Sequence, residues 1–172
     1  VTKTVELRRH TDAEGDVLTP EGVLMAIEIG RALDGEYHLL ISSGAQRATQ
    51  TAACILAGMG RAVAGGVIVD TGFRSSVEDR WFEAARRAKG KDLESFRAVD
   101  ADLVEKEAAL LGRALREVFE SLPEGARALV VGHSPTIEAA VLGLTGQVVE
   151  PVAKGGRVVV VEDGGSWSTP RS

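Results

Sequence analysis

Short aliphatic runs and longer amphipathic stretches alternate along the chain. "TKTVELR", "YHLLIS", "GVIVD", "RALVVGH" and "GRVVVVED" are of strand length and rich in Val, Ile and Leu, which predicts five β-strands. Helical spacing fills the intervals. "LTPEGVLMAIEIGRALDG" opens with Thr19 as a natural N-cap and Pro20 at the first helical position, and Gly35 lies beyond its end. Val23, Ile27, Gly30 and Leu33 share one face of that helix, and the glycine would let it approach a sheet closely. "AQRATQTAACILAGMG" has the same form and stops at glycines. In "DADLVEKEAALLGRALREVFESLPEG", Val104, Ala108, Leu111, Leu115, Val118 and Leu122 step by threes and fours along a single stripe. A further helix begins in "SPTIEAAVLGL", with Ser134 as cap and Pro135 at the first position.

This alternation predicts an α/β layered fold with a mostly parallel central sheet. Ligands of such sheets bind beyond the carboxyl ends of the strands. "RRH" (8–10) and "GHS" (132–134) both stand there. Residues 71–100 break the pattern, mixing charges with Phe73, Trp81, Phe82 and Phe96. They read as an irregular, cap-like crossover within a single domain over 1–172. The tail "SWSTPRS" reads as low in complexity.

Composition narrows the function classes. The 172 residues are 44% hydrophobic and 26% charged, as in ordinary globular proteins, with a net charge of −5. That acidic balance argues against a nucleic-acid partner. No apolar run is long enough for a membrane helix, and the N-terminus does not read as a secretory signal. A lone cysteine, Cys54, fits a reducing, cytoplasmic setting and reads as a small core filler. Three histidines and one cysteine at wide spacing supply no metal-ligand cluster, so no metal and no cofactor are expected. His38, a lone strand histidine, reads as structural, and Trp81 and Phe82 read as helix packing. Nothing in the sequence speaks to oligomeric state.

The residues at the predicted strand ends suit phosphoryl chemistry. A phosphoryl group spreads charge over three oxygens, which arginine forks bind better than lysine. It also needs an in-line nucleophile, and neutral imidazole is one near pH 7. Arg9 and His10 end the first strand, Arg47 falls in the first turn of the second helix, and His133 ends a later strand ahead of Ser134.

"LRRHTDAEGDVLTPEG", "ISSGAQRATQTA" and "VVGHSP" resemble, in order and spacing, the three motifs of the histidine phosphatase superfamily, also called phosphoglycerate mutase-like. The resemblance spans roughly residues 3 to 165. It implies a three-layer α/β/α sandwich, His10 as the nucleophile that becomes phosphorylated, and Arg9, Arg47 and Ser134 around the phosphate. His133 would donate to the phosphoryl oxygens as charge develops. Thr11 departs from the usual glycine after the first histidine, and Arg8 from a usually aliphatic position. Many members also carry a proton-donating glutamate in a Leu-x-Glu context, which here aligns with Phe73 and Ser75. Glu78 and Asp79 are the nearby candidates for a proton donor. The missing glutamate is shared by the small, minimally capped members that resemble bacterial phosphohistidine phosphatases. It predicts a preference for good leaving groups.

The resulting expectation is a metal-independent phosphatase that hydrolyses phosphate monoesters or phosphoramidates through phosphohistidine. Its partner would be a phosphorylated small molecule or a phosphohistidine protein. Two rival readings are a phosphomutase of the same fold and a non-catalytic module that binds a phospho-ligand.

Overall fold

A computed structural model describes residues 2–170; Val1, Arg171 and Ser172 lie outside the described residues. The chain runs through β1 (Lys3–Arg9), a small hairpin of β2 (Ala13–Glu14) and β3 (Val17–Leu18), α1 (Pro20–Ala32), β4 (Leu39–Ser42), α2 (Gln46–Met59) and β5 (Val67–Val69). A 3-10 turn (Thr71–Phe73) then leads into α3 (Glu78–Arg87), α4 (Leu93–Val99), α5 (Ala101–Ser121), β6 (Arg127–Gly132), α6 (Thr136–Thr145), β7 (Arg157–Asp163) and β8 (Ser166–Ser168).

Six strands form one sheet in the order β5-β4-β6-β1-β7-β8. The three pairings among β5, β4, β6 and β1 are parallel, and the two involving β7 are antiparallel. Alternation along β6 divides the interior. Ala128 and Val130 face a core with α5 and α6, while Leu129 and Val131 face one with α1 and α2. The result is an α/β/α sandwich with a mixed, mostly parallel sheet.

On α5 the predicted stripe is buried throughout, from Val104 to Val118, with Leu122 just past its end. On α1 the buried face is Gly22, Ala26, Gly30 and Leu33, whereas Val23 and Ile27 are half-buried. Helix-on-helix contact explains the offset. A Cβ on Gly30 would sit 2.1 Å from the Ile55 carbonyl oxygen of α2, and one on Gly58 would sit 2.1 Å from that of Ile27. Gly30 therefore admits α2, not the sheet. Small residues take the central stripe because the two backbones nearly touch.

Three segments are more ordered than their sequences predict. Residues 71–100 form the 3-10 turn and two helices instead of an irregular crossover. Trp81 and Phe96 are buried there and meet edge-on at 5.7 Å, an arrangement that ties α3 to α4. Within the tail, Ser166–Ser168 forms β8 against β7. The motif loop after His10 folds into the β2–β3 hairpin.

Candidate functional site

Sheet register assembles the centre of the site. β1 and β6 run parallel with Arg9 opposite Gly132, and β4 and β6 with Ser42 opposite Val131. The next residue of each strand is therefore His10, His133 or Ser43, emerging side by side from neighbouring carboxyl ends. Parallel strands lie about 4.8 Å apart, and the two imidazole centroids are 5.4 Å apart. His133 Nε2 lies 2.7 Å from the Ser43 hydroxyl on its other side. Two backbone bonds secure the row, from His10 N to the Gly132 carbonyl (3.0 Å) and from Ser43 N to that of Val131 (3.1 Å).

The His10 tautomer follows from one contact. Nδ1 is 2.7 Å from the Thr11 carbonyl oxygen, which can only accept. Nδ1 therefore carries the proton, and Nε2 keeps its lone pair. Burial pulls the His10 pKa below the usual histidine value. The Thr11 carbonyl opposes that shift, and the charges of Arg47, Arg9 and Lys154 reinforce it. Thr11 itself is fully buried; its hydroxyl donates to the Gly22 carbonyl (2.8 Å) and its N–H to the Thr51 hydroxyl (3.2 Å). The side chain that replaces the usual glycine thus turns under α1 and α2, away from the pocket. Arg8 reaches the Glu6 carboxylate (2.6 Å) and the Gly155 carbonyl (2.9 Å).

Arg9, Arg47, His133 and Ser134 line one cavity of about 260 Å³, together with Ser75 and Glu78. Trp81, Phe82, Ala85 and Phe96 make its apolar wall, and Lys91 also borders it. His10 is not in the lining; it packs against His133 with 8% of its surface exposed. Arg9 Nη1 donates to the Val152 carbonyl (3.1 Å), and its buried Nε meets no partner among the described residues. Asp16, at the tip of the β2–β3 hairpin, accepts from Arg47 Nη1 (2.8 Å) and from the backbone N–H groups of Gln46 and Arg47. It caps α2 from outside, because the N-cap residue Ala45 has no side-chain acceptor. Lys154 donates to Asp12 at 2.7 Å.

Burial lowers the pKa of His133 to about 3, with further depression from Arg47, His10 and Arg74. The ring is neutral across the physiological range. Its Nδ1 is buried without a partner among the described residues.

Several expected placements change. Ser134 is not the N-cap of α6: Pro135 holds that position, and the Ser134 hydroxyl donates to the Glu138 carboxylate one turn on. Glu78 borders the cavity but accepts from Arg74 Nε at 2.8 Å, while Asp79 is exposed and outside the lining. Phe82 is 64% exposed and borders the cavity instead of packing inside. Cys54 is half-buried against the α1–α2 core, and His38 is exposed before β4.

Two buried carboxylates escape the motif-based reading. Glu107 accepts from the Ser75 hydroxyl and from Trp81 Nε1 (3.0 Å). Ser75, which takes the place of the usual glutamate, therefore has an ionisable partner of its own. Glu138 is 1% exposed, and burial raises its pKa from 4.5 to about 7 against the opposing bond from Ser134. A carboxyl group that is more basic folded than unfolded contributes its full stability below the unfolded pKa. It loses that contribution as pH rises through the folded value. Glu138→Gln removes the titration. Relative to wild type, the variant should therefore gain up to about 3 kcal/mol between pH 4.5 and pH 8. Urea unfolding at pH 5 and pH 8 measures this; an equal effect at both pH values would contradict it.

The family model described as histidine phosphatase superfamily (branch 1) matches residues 2–157. No curated protein sequence matches the chain. Among solved structures, phosphoserine phosphatase from Entamoeba histolytica, in complex with 3-phosphoglyceric acid, is similar with a TM-score of 0.75 at 18% identity, over 98% of this chain and 95% of that one. Phosphoglycerate mutase from Bacillus anthracis gives 0.75 at 18% identity, over 99% and 92%. A mycobacterial glucosyl-3-phosphoglycerate phosphatase gives 0.67 at 16% identity, over 98% and 97%. At such identities the likeness establishes a shared fold. The match to the family model takes in all three motifs, and with it the chain belongs to the histidine phosphatase superfamily, branch 1.

Proposed function

We propose that the protein is a phosphohydrolase that works through a phosphohistidine on His10. The observation that carries this reading is the bond from Nδ1–H of His10 to the Thr11 carbonyl, which leaves Nε2 as a free nucleophile. Its lowered pKa keeps that lone pair available at neutral pH. In the first step Nε2 attacks phosphorus, the bond to the leaving group breaks, and the leaving group takes a proton. In the second, water attacks the phosphohistidine, the N–P bond breaks, and inorganic phosphate departs. Arg9 and Arg47 hold the phosphoryl oxygens, and Ser134 borders them. His133 donates to the oxygens as charge accumulates, an interaction that strengthens in the transition state.

Within the superfamily we favour the small branch that resembles phosphohistidine phosphatases. Ser75 in place of the glutamate supports it, as does a wall of Trp81, Phe82 and Phe96 suited to a planar leaving group. The substrate would be a phosphorylated small molecule or a phosphohistidine protein. Steady release of inorganic phosphate from a panel of aryl phosphates, alkyl phosphates and phosphoramidates tests the reading. A phosphoryl group passed only to a second substrate would indicate a mutase, and binding without turnover a non-catalytic module.

The reaction is proposed to need no metal. Two guanidinium groups border the cavity, and the described residues contain no group of three or more potential metal ligands. EDTA should leave the rate unchanged. A rate abolished by EDTA and restored by a divalent ion would refute this.

A further inference from the structure

The cavity carries a cation that the phosphoryl chemistry does not use. Lys91 borders it from the turn between α3 and α4, in addition to Arg9 and Arg47. Most basic residues of the 71–100 segment are paired: Arg74 with Glu78, Arg80 with Asp100, Arg86 with Glu83 and Arg97 with Glu94. Arg87, Lys89 and Lys91 are in no ion pair among the described residues, and of these three Lys91 alone is in the lining. Its backbone is anchored. The next residue, Asp92, caps α4 by accepting from the Ser95 N–H (2.9 Å) and hydroxyl (3.0 Å), and Leu93 after it is buried. The apolar wall is fixed as well: Trp81 is buried, donates its Nε1–H to Glu107 (3.0 Å) and meets Phe96 edge-on. Phe82, by contrast, stands mostly in water at the border of the cavity, on a helix made largely of charged residues. An aromatic ring held there buries its face only when the cavity is filled.

We propose that Lys91 selects the substrate by its leaving group, an aromatic ring that carries a carboxylate. The proposal rests on the hydrolase reading above and deepens it. With the phosphoryl group at Arg9 and Arg47, the ring lies against Trp81, Phe82 and Phe96, and its acidic substituent pairs with the Lys91 ammonium. A single lysine is a point charge that balances one negative charge, whereas a second phosphate would call for guanidinium forks like the two that hold the first. Glu78 is the one carboxylate in the lining among the described residues, and Arg74 engages it at 2.8 Å. It is therefore a poor counter-ion for a cationic substituent. Lys91 takes no part in the bond changes. It stabilises the bound substrate and the transition state alike, so its contribution belongs in KM and not in kcat.

Phenyl phosphate, 3- and 4-carboxyphenyl phosphate and 4-(aminomethyl)phenyl phosphate test the preference, with kcat/KM for each divided by that for phenyl phosphate. Lys91→Met keeps the apolar stem and should lower the better carboxylate ratio about twofold to fivefold, the range of an exposed ion pair, through KM. Lys91→Glu turns attraction into repulsion. It should lower that ratio by roughly the square of the same factor and raise the aminomethyl ratio. Each substrate is compared between wild type and variant, so intrinsic leaving-group reactivity cancels, and a purely structural role would move all the substrates together. Lys89→Met removes a neighbouring cation outside the lining and should leave the ratios as in wild type. Ratios that stay unchanged in both Lys91 variants, or that shift as much in Lys89→Met, would overturn the proposal. Calorimetric dissociation constants of benzylphosphonate and 4-carboxybenzylphosphonate need no turnover and should show the same dependence on Lys91. If wild type releases no phosphate from any ester or phosphoramidate, the hydrolase reading fails, and these constants still decide what Lys91 does.

Discussion

His10→Ala should lower phosphate release by roughly ten-thousandfold or more, the scale seen when a covalent nucleophile is removed. The loss should be in turnover, because the two arginines proposed to bind the phosphoryl group are untouched. In wild type, quenching in alkaline detergent within the first turnover should trap label on protein in a form that is labile to acid and stable to base, as expected of a phosphoramidate. The Thr11 carbonyl fixes which nitrogen carries it: Nδ1 is protonated and engaged, so the label belongs on Nε2. Label on a serine or an aspartate would end the phosphohistidine reading, as would wild-type turnover in His10→Ala.

Arg47→Lys keeps the charge and should still lower kcat/KM by roughly tenfold to a thousandfold. A guanidinium bridges two phosphoryl oxygens, and this one is held in place: Asp16 grips one terminal nitrogen and the backbone N–H of the same residue. An ammonium on a flexible stem satisfies Asp16 or the phosphoryl group, and it cannot hold the geometry for both. Steady-state kinetics of the variant decide the matter, and wild-type values would remove Arg47 from phosphoryl binding.

The parallel strands and the long helices were legible because their signals are local. Apolar periodicity, Thr19 before Pro20 and the stripe on α5 each lie within one segment and need no partner to be read. So were the residues at the strand ends, since the three motifs hold them within a few positions. What was not legible depends on contact between distant segments. Residues 71–100 are polar enough to look irregular, yet Trp81 and Phe96 order them by packing on each other. The capping role of Asp16 rests on a contact across 30 positions, and the bond between Ser75 and Glu107 spans 32. One trace was present: a carboxyl residue on an apolar stripe, at 107 and again at 138, is the local sign of a buried partner. Ser134 misled because Ser-Pro before a helix is an ordinary cap signal, and the nearby Glu138 won its hydroxyl.

The position of β6 bears on how the chain can come off the ribosome. It is the fourth parallel strand in sequence order but sits between the first two, β1 and β4. A nascent chain that has emerged only through α5 holds those two strands across a gap one strand wide, about 10 Å, with no backbone partner for either inner edge. Both layers of helices also lack the residues of β6 on which they close, Leu129 and Val131 on one side and Ala128 and Val130 on the other. A chain that has emerged only through α5 therefore depends on shielding, and insertion of a single six-residue strand completes the parallel part of the sheet and the row of His10, His133 and Ser43 together.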